Sequence, residues 1–301
     1  MKKYYSIVYI MNKFNIHHLV KILIFLFSPL CSADPVLQSH RVVDGPVVDG
    51  KATDTVWQDK QALMTVDPIA GIKIEITSVY TNDNVYMLVK FPDATQNKQQ
   101  KMLHWDETKN RYVTGPERED TFVFKWNMIP VAMDLSLTSD IPYKADIWYW
   151  KSSRTNSTGF ADDKIQFYQS NYSKKSARLI SKTGEYYYLV RQGDKGKAAY
   201  KAKIYLDKNL SVVPKYKFSI PEGSRADIKA KGFWHDGTWT IEFQRALNTG
   251  HRDDLQFKTT KNYFFGVSRY EIAGRNVNKN IEEPKFGAGD INELIKLIFL
   301  P

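Results

Sequence analysis

The stretch Ile72-Lys-Ile-Glu-Ile-Thr-Ser-Val-Tyr-Thr-Asn-Asp-Asn-Val-Tyr-Met-Leu-Val89 decides the fold class. Ile72, Ile74 and Ile76 alternate with Lys73, Glu75 and Thr77, the period of two that turns one face of a strand toward a core. Thr81-Asn-Asp-Asn84 is a turn, and Val85, Met87 and Val89 then line one face of a second strand, so the stretch reads as a hairpin. Working outward, the same pattern predicts strands over 120–128, 131–137, 145–151, 184–191, 199–206, 227–235, 238–244 and 262–270. Asp236-Gly237, between two of these, is the dipeptide that favours a two-residue hairpin turn. Ile291–Phe299 reads as a short helix or a final strand. Aromatics at 14% favour strands over helices. Many short strands joined by turns predict an all-β chain, an immunoglobulin-like or carbohydrate-binding-module-like β-sandwich.

Residues 1–33 carry Lys2, Lys3, Lys13 and Lys21 and no acid, followed by the apolar run Ile22–Phe27 and the small residues Cys31-Ser-Ala33. The apolar run is far short of the roughly 20 residues that span a bilayer. This is the pattern of a cleaved signal peptide, with Met11 as an alternative start, and it predicts a periplasmic or otherwise exported protein with no transmembrane segment after cleavage. Lipidation at Cys31 would want a small residue where Leu30 stands. The mature chain, 34–301, reads as one domain. Cleavage lowers the formal charge from +10 to +6. Lysine and arginine crowd Lys174–Lys231, and the overlapping stretch 171–225 reads as a basic excursion from the regular strands. Such a patch is either a solvated set of edge lysines or a docking face for an acidic partner. No nucleic-acid-binding motif accompanies it.

The mature chain contains no cysteine, which excludes disulfides, iron–sulfur ligation and covalent Cys-x-x-Cys-His haem attachment. His-Glu-x-x-His, Gly-x-Ser-x-Gly and phosphate-binding glycine loops are missing too, so no catalytic residue is assigned. Asp162-Asp163 and Asp253-Asp254 have the chemistry to bind calcium, but neither sits in a dedicated calcium loop, and solvated loop acids are the simpler reading.

Four segments carry a resemblance: Asp49-Gly-Lys-Ala-Thr-Asp-Thr-Val-Trp57; Glu119-Asp-Thr-Phe-Val-Phe-Lys-Trp-Asn-Met128; Ala145-Asp-Ile-Trp-Tyr-Trp-Lys-Ser-Ser-Arg-Thr-Asn156 with Gly159-Phe-Ala-Asp-Asp163; and Asp236-Gly-Thr-Trp-Thr-Ile-Glu-Phe-Gln-Arg245 with Asp253-Asp-Leu-Gln-Phe257. Together they resemble the haem-binding domain family of the ethylbenzene dehydrogenase gamma subunit, found with molybdenum oxidoreductases of the dimethyl sulfoxide reductase type. The resemblance implies a non-covalent haem b held by one methionine and one lysine. It also implies a non-catalytic electron-transfer role beside a redox partner, either a molybdoenzyme with an iron–sulfur subunit or a c-type cytochrome. Met128 matches the family's methionine, with Met133 as its rival. Lys229 matches the lysine, with Lys231 as rival and His104 as the fallback.

These residues also have readings of their own. Met128 follows Phe122, Phe124 and Trp126 on one strand face, where a thioether would ligate iron or simply fill the core. Lys229 can ligate only as the neutral amine, which requires burial against a reference pKa of about 10.4. Ile228, Ala230 and Trp234 share the apolar face, so Lys229 points the other way unless a bulge re-aims it. Trp148 and Trp150 share a face that would pack on a haem or on the opposite sheet. The alternative function is a carbohydrate-binding β-sandwich without haem, with exposed aromatics stacking on sugar rings.

Overall fold

A computed structural model describes residues 35–67, 71–270 and 294–301; the signal segment 1–33 lies outside the described residues. The opening stretch forms β3 (Ile72–Tyr80) and β4 (Asn84–Pro92), antiparallel from Glu75↔Lys90 to Tyr80↔Val85. Thr81 closes their turn, its Oγ1 accepting from the Asn84 amide at 3.1 Å. The second hairpin is β17 (Ile228–His235) and β18 (Thr238–Ala246), with Asp236 and Gly237 at φ 46° and 71°. Two successive positive φ values are what a type I′ turn needs, and aspartate followed by glycine tolerates them best. β18 pairs with β4, β2 (Leu63–Asp67) pairs with β3, and β1 (Val36–Arg41) lies parallel to β3.

The facing layer holds β7 (Thr121–Asn127), β8 (Tyr143–Lys151), β9 (Asp162–Gln169), β19 (Tyr263–Tyr270) and β20 (Ile295–Leu300). β20 pairs with both β19 and β1, so one thirteen-stranded sheet continues from layer to layer. Met87, Val89 and Phe91 of β4 and Ile241 and Phe243 of β18 pack on Phe122, Phe124 and Trp126 of β7 and Trp148 and Trp150 of β8. Ring centroids cross the interface at 5.2 Å for Phe124–Phe243 and 4.8 Å for Trp150–Trp239. Each such aromatic pair contributes about 0.5–1.5 kcal/mol beyond area burial. The fold is a β-sandwich, and Trp148 and Trp150 are core residues of it.

The basic excursion begins with a hairpin, β10 (Ala177–Ile180) and β11 (Tyr186–Gly193), that extends the sheet beside β9. Short pairs follow: β12 (Gly196–Lys197) with β16 (Glu222–Gly223), β13 (Tyr200–Ala202) with β15 (Tyr216–Phe218), and β14 (Val212–Val213) with β5 (Leu103–Asp106), which also pairs with β6 (Arg111–Thr114). The expected strand over 199–206 thus shrinks to three residues.

The expected strand over 131–137 does not form. Pro130 has no N–H to give a ladder, and Asn127 holds the chain in a tight turn, its side chain accepting from Ile129 N at 3.0 Å and donating to Val131 O at 2.7 Å. The alternation there is real, but Met133, Leu135 and Leu137 use it to cover the outer face of β7 and β8 as a loop.

Candidate functional site

Met128 falls one residue past β7, half-buried in a bend, its amide donating to Lys144 O at 3.1 Å. The aromatic face that precedes it is already filled: Trp126 lies 4.6 Å from Phe265 and 5.1 Å from Phe257, centroid to centroid. Met133 packs on the opposite, outer face of the same strand. Lys229 is exposed on β17, and the β17–β18 ladder runs unbroken from Ile228↔Arg245 to His235↔Thr238, so no bulge re-aims it. Lys231 is half-buried and donates to Asn156 O at 3.1 Å. His104, on β5, sits 2.5 Å from Glu117 Oε1.

The five candidates are not brought together. Lys229 bridges to Phe160, just ahead of Asp162, which faces Tyr149, whereas Met128 adjoins Asn127, which faces Ala145. Ala145 and Tyr149 are four residues apart on β8, about 13 Å at the rise of a strand. Two iron ligands must reach a shared centre, and no contact among the described residues joins Met128 to Lys229.

The structure instead gathers charge around β9, whose first two residues leave on opposite faces. Outward, Asp162 meets Lys151 at 2.5 Å, Lys164 at 3.0 Å and Arg225. Burial alone would raise its pKa, but these cations override burial and hold it well below the usual carboxylate range. Burial brings Lys151 down to about 8. Beside it Arg154 is clamped by Glu119 and stacks over Tyr200 at 5.1 Å. Tyr149, Lys151, Arg154, Lys164, Arg191 and Tyr200 line a cavity of about 460 Å³, a cationic, aromatic-walled groove suited to carboxylate or other anionic groups. The sequence placed Lys151 and Arg154 in one motif without indicating that they face a groove.

Inward, Asp163 joins Asp146 of β8 and Asp254 of the loop after β18, all buried, with Arg245 the guanidinium among them. Its Nη2 lies 3.2 Å from Asp146 Oδ2 and 3.3 Å from Asp254 Oδ2. Burial first, then the neighbouring acids, push Asp163 well above the usual range and Asp194 up to about 7. A cavity of about 780 Å³, whose walls include Ile165, Phe167, Asp194, Ser224, His251 and Asp253, meets this layer at Asp194. His251 sits 2.5 Å from Asp227 on its rim.

Asp120 stands apart from both layers. Its Oδ2 accepts from Asn97 N at 2.7 Å and Trp239 Nε1 at 3.0 Å, and burial pushes its pKa up to about 7. A carboxyl that is neutral in the fold and ionised in the unfolded chain favours folding below its unfolded pKa and loses that contribution as pH rises through the folded value. Asp120→Asn is therefore expected to flatten the fall in stability between about pH 4 and 7, a difference on the order of a few kcal/mol. Urea unfolding of both proteins at the two ends of that window measures it, and parallel pH profiles would refute it.

The family model described as ethylbenzene dehydrogenase matches residues 54–279. No curated protein matches the chain at a significant level. Among solved structures it is similar to a family 9 carbohydrate-binding module from Caldicellulosiruptor kristjanssonii in complex with glucose, at 10% identity and a TM-score of 0.37, over 87% of this chain and 95% of that one. The module from the same organism in complex with cellotriose is similar at 10% identity and a TM-score of 0.36, over 88% and 95%. Likeness of this degree says nothing about what this chain binds.

Proposed function

The chain belongs to the ethylbenzene dehydrogenase family, and on that premise we propose that it is an exported, non-catalytic electron-transfer subunit of an oxidoreductase that binds haem b non-covalently. The observation that carries this reading is the extent of the match, which takes in everything from the Asp54-Thr-Val-Trp57 opening through β19. The cationic groove at Lys151, Arg154, Lys164 and Arg191 supports an acidic redox partner, because a positive, partly desolvated surface raises the encounter rate with a negative one. The partner proposed is a molybdoenzyme with an iron–sulfur subunit or a c-type cytochrome. No helix among the described residues is long and apolar enough to cross a membrane.

A bound haem b supplies reversible one-electron chemistry. The separation of Met128 from Lys229 gives that pair no geometric support, so the protein ligands are to be found by substitution.

The test is a reduced-minus-oxidised absorption spectrum of protein from haem-replete cells. A Soret band and a pigment extracted by acidified organic solvent are expected. A colourless protein that takes up no hemin would end the haem reading while leaving the family membership intact. Losing a ligating thioether lowers the midpoint potential or the haem content, so either Met128→Ala or Met133→Ala is expected to show that loss. Wild-type haem content and potential in both would remove methionine from the site.

A further inference from the structure

Asp162 and Asp163 are adjacent, equally buried and treated in opposite ways. Asp162 receives Lys151, Lys164 and Arg225. Asp163, 0% exposed, meets no hydrogen-bond donor at either carboxylate oxygen among the described residues. Its charged neighbours are other acids and Arg245. One carboxylate oxygen each from Asp146, Asp163 and Asp254 lies within 4.8 Å of the other two. Asp146 Oδ1 and Asp254 Oδ1 also lack a donor among the described residues: Leu255 N at 2.9 Å bonds the Oδ2 atom of Asp146 and Thr249 Oγ1 that of Asp254, while Arg245 Nη2 reaches both as an ion pair without a hydrogen bond.

A fourth carboxylate, from a different element, abuts that of Asp163. Asp194 follows β11, is 7% exposed and has no donor at either oxygen. Its amide donates to Asp163 O at 3.2 Å, and its carboxyl lies against that of Asp163. Three buried carboxylates therefore converge around one guanidinium, and Asp194 abuts Asp163 at the edge of the cluster. Leaving buried acids uncompensated costs several kcal/mol each. On the other face of β9 the chain meets this cost with three cations; on this face the oxygens are left open and aimed at each other.

We propose that Asp146, Asp163 and Asp254, with Asp194 closing from the cleft, bind a divalent cation of the calcium type. The donors are all hard carboxylate oxygens, with no thiolate or imidazole among the four, which disfavours zinc and copper. Asp146 and Asp163 sit on the paired strands β8 and β9, whereas Asp194 and Asp254 come from loops, an adjustable oxygen set that suits calcium better than the strict octahedron of magnesium. Asp194, in the wall of the 780 Å³ cleft and against Asp163, is the side from which an ion would enter. Arg245 then acts as a positioning residue that holds Asp146 and Asp254 in place. A divalent ion would bring the four acids and Arg245 from a formal −3 to −1.

The test uses chelator-treated full-length protein titrated with calcium chloride by calorimetry and by thermal unfolding, together with terbium luminescence. Trp148 is the cross-strand partner of Asp163 and so a near sensitiser for terbium. One calcium per chain, a rise of several degrees in Tm at about 1 mM calcium, and sensitised terbium emission are expected, with a smaller rise in magnesium. Asp163→Asn and Asp194→Asn are each expected to weaken calcium binding at least about tenfold. Should Asp163→Asn not fold, Asp194→Asn at the cleft and the wild-type titrations decide. No heat, no Tm shift and no emission from the wild type would mean that protons, not a cation, neutralise the cluster, and wild-type binding in both variants would overturn the assignment.

Discussion

Replacing Glu242 with alanine is expected to lower the unfolding free energy by about 3–5 kcal/mol, close to the upper limit for a single side chain. Glu242 is 0% exposed on the face of β18 turned away from the main core. Its Oε1 accepts from Trp57 Nε1 at 2.8 Å, and its Oε2 from Gly50 N at 2.7 Å and Asp49 N at 3.1 Å. One carboxylate thus ties the segment between β1 and β2 onto the closing hairpin. Burial raises its pKa against the pull of these three donors. Each hydrogen bond to a charged acceptor is worth about 1.5–3 kcal/mol, and deleting the acceptor also strands a buried indole N–H and a glycine amide. Glu242→Gln keeps one acceptor oxygen but sets an amide N–H₂ against the remaining donors, so a loss of about 1–2 kcal/mol is expected. A double-mutant cycle with Trp57→Phe should return a coupling of about 1–3 kcal/mol. Urea denaturation of the four proteins supplies the numbers, and a loss below about 1 kcal/mol for Glu242→Ala would show that the segment is held by its apolar contacts alone.

Glu242 also marks where sequence reading stopped. Asp49–Trp57 and Asp236–Arg245 were both recognisable as motifs, but their mutual contact depends on the sheet order, which strand periodicity does not carry. Periodicity did read the β3–β4 and β17–β18 hairpins, because each is local and ends in a turn with its own chemistry. It misread 131–137, since alternate apolar residues suit a loop lying over a sheet as well as a strand within one. Lys229 was legible as outward-facing from Ile228 and Ala230, and the continuous ladder leaves that reading unrelieved.

The charged layers were legible only in halves. Asp163 and Asp254 stood out as acids with calcium-binding chemistry, and an isolated pair of loop acids is usually solvated. What overturns that reading is burial, which comes from the crossing of β8 and β9 with the loop after β18. Asp146 did carry a local signal. It shares the face of Trp148 and Trp150, and a carboxylate in phase with two buried indoles has to be paired, protonated or bound to a cation.

Asn156→Ala is expected to cost about 2–4 kcal/mol and to loosen one side of the sandwich selectively. β17 is the last strand of its layer and would present an open edge. Asn156 covers it in the manner of a peptide group: its Oδ1 accepts from Gly232 N at 2.7 Å and its Nδ2 donates to Gly232 O at 2.9 Å. The same Oδ1 accepts from Trp150 Nε1 at 2.9 Å, which fixes the indole over Gly232. That approach needs glycine, since a Cβ on residue 232 would lie 2.4 Å from Trp150 Cζ2. Ala161 N to Ile228 O at 2.9 Å and Ala230 N to Gly159 O at 3.0 Å continue the stitch, joining β17 to the chain that leads into β9. Alanine at 156 removes three buried hydrogen bonds at once and leaves the Trp150 N–H without its acceptor. The backbone bonds at 159–161 remain, so the strand should open locally before the whole domain unfolds. Hydrogen exchange should therefore quicken at the Gly232 amide far more than at the β18 amides that pair with β4, while urea unfolding reports the global loss. Gly232→Val is expected to exceed Asn156→Ala, because it drives a branched side chain into Trp150 as well as disturbing the clamp. Unchanged exchange at Gly232 in Asn156→Ala would show that the edge is held by the 159–161 stitch without help from the side chain.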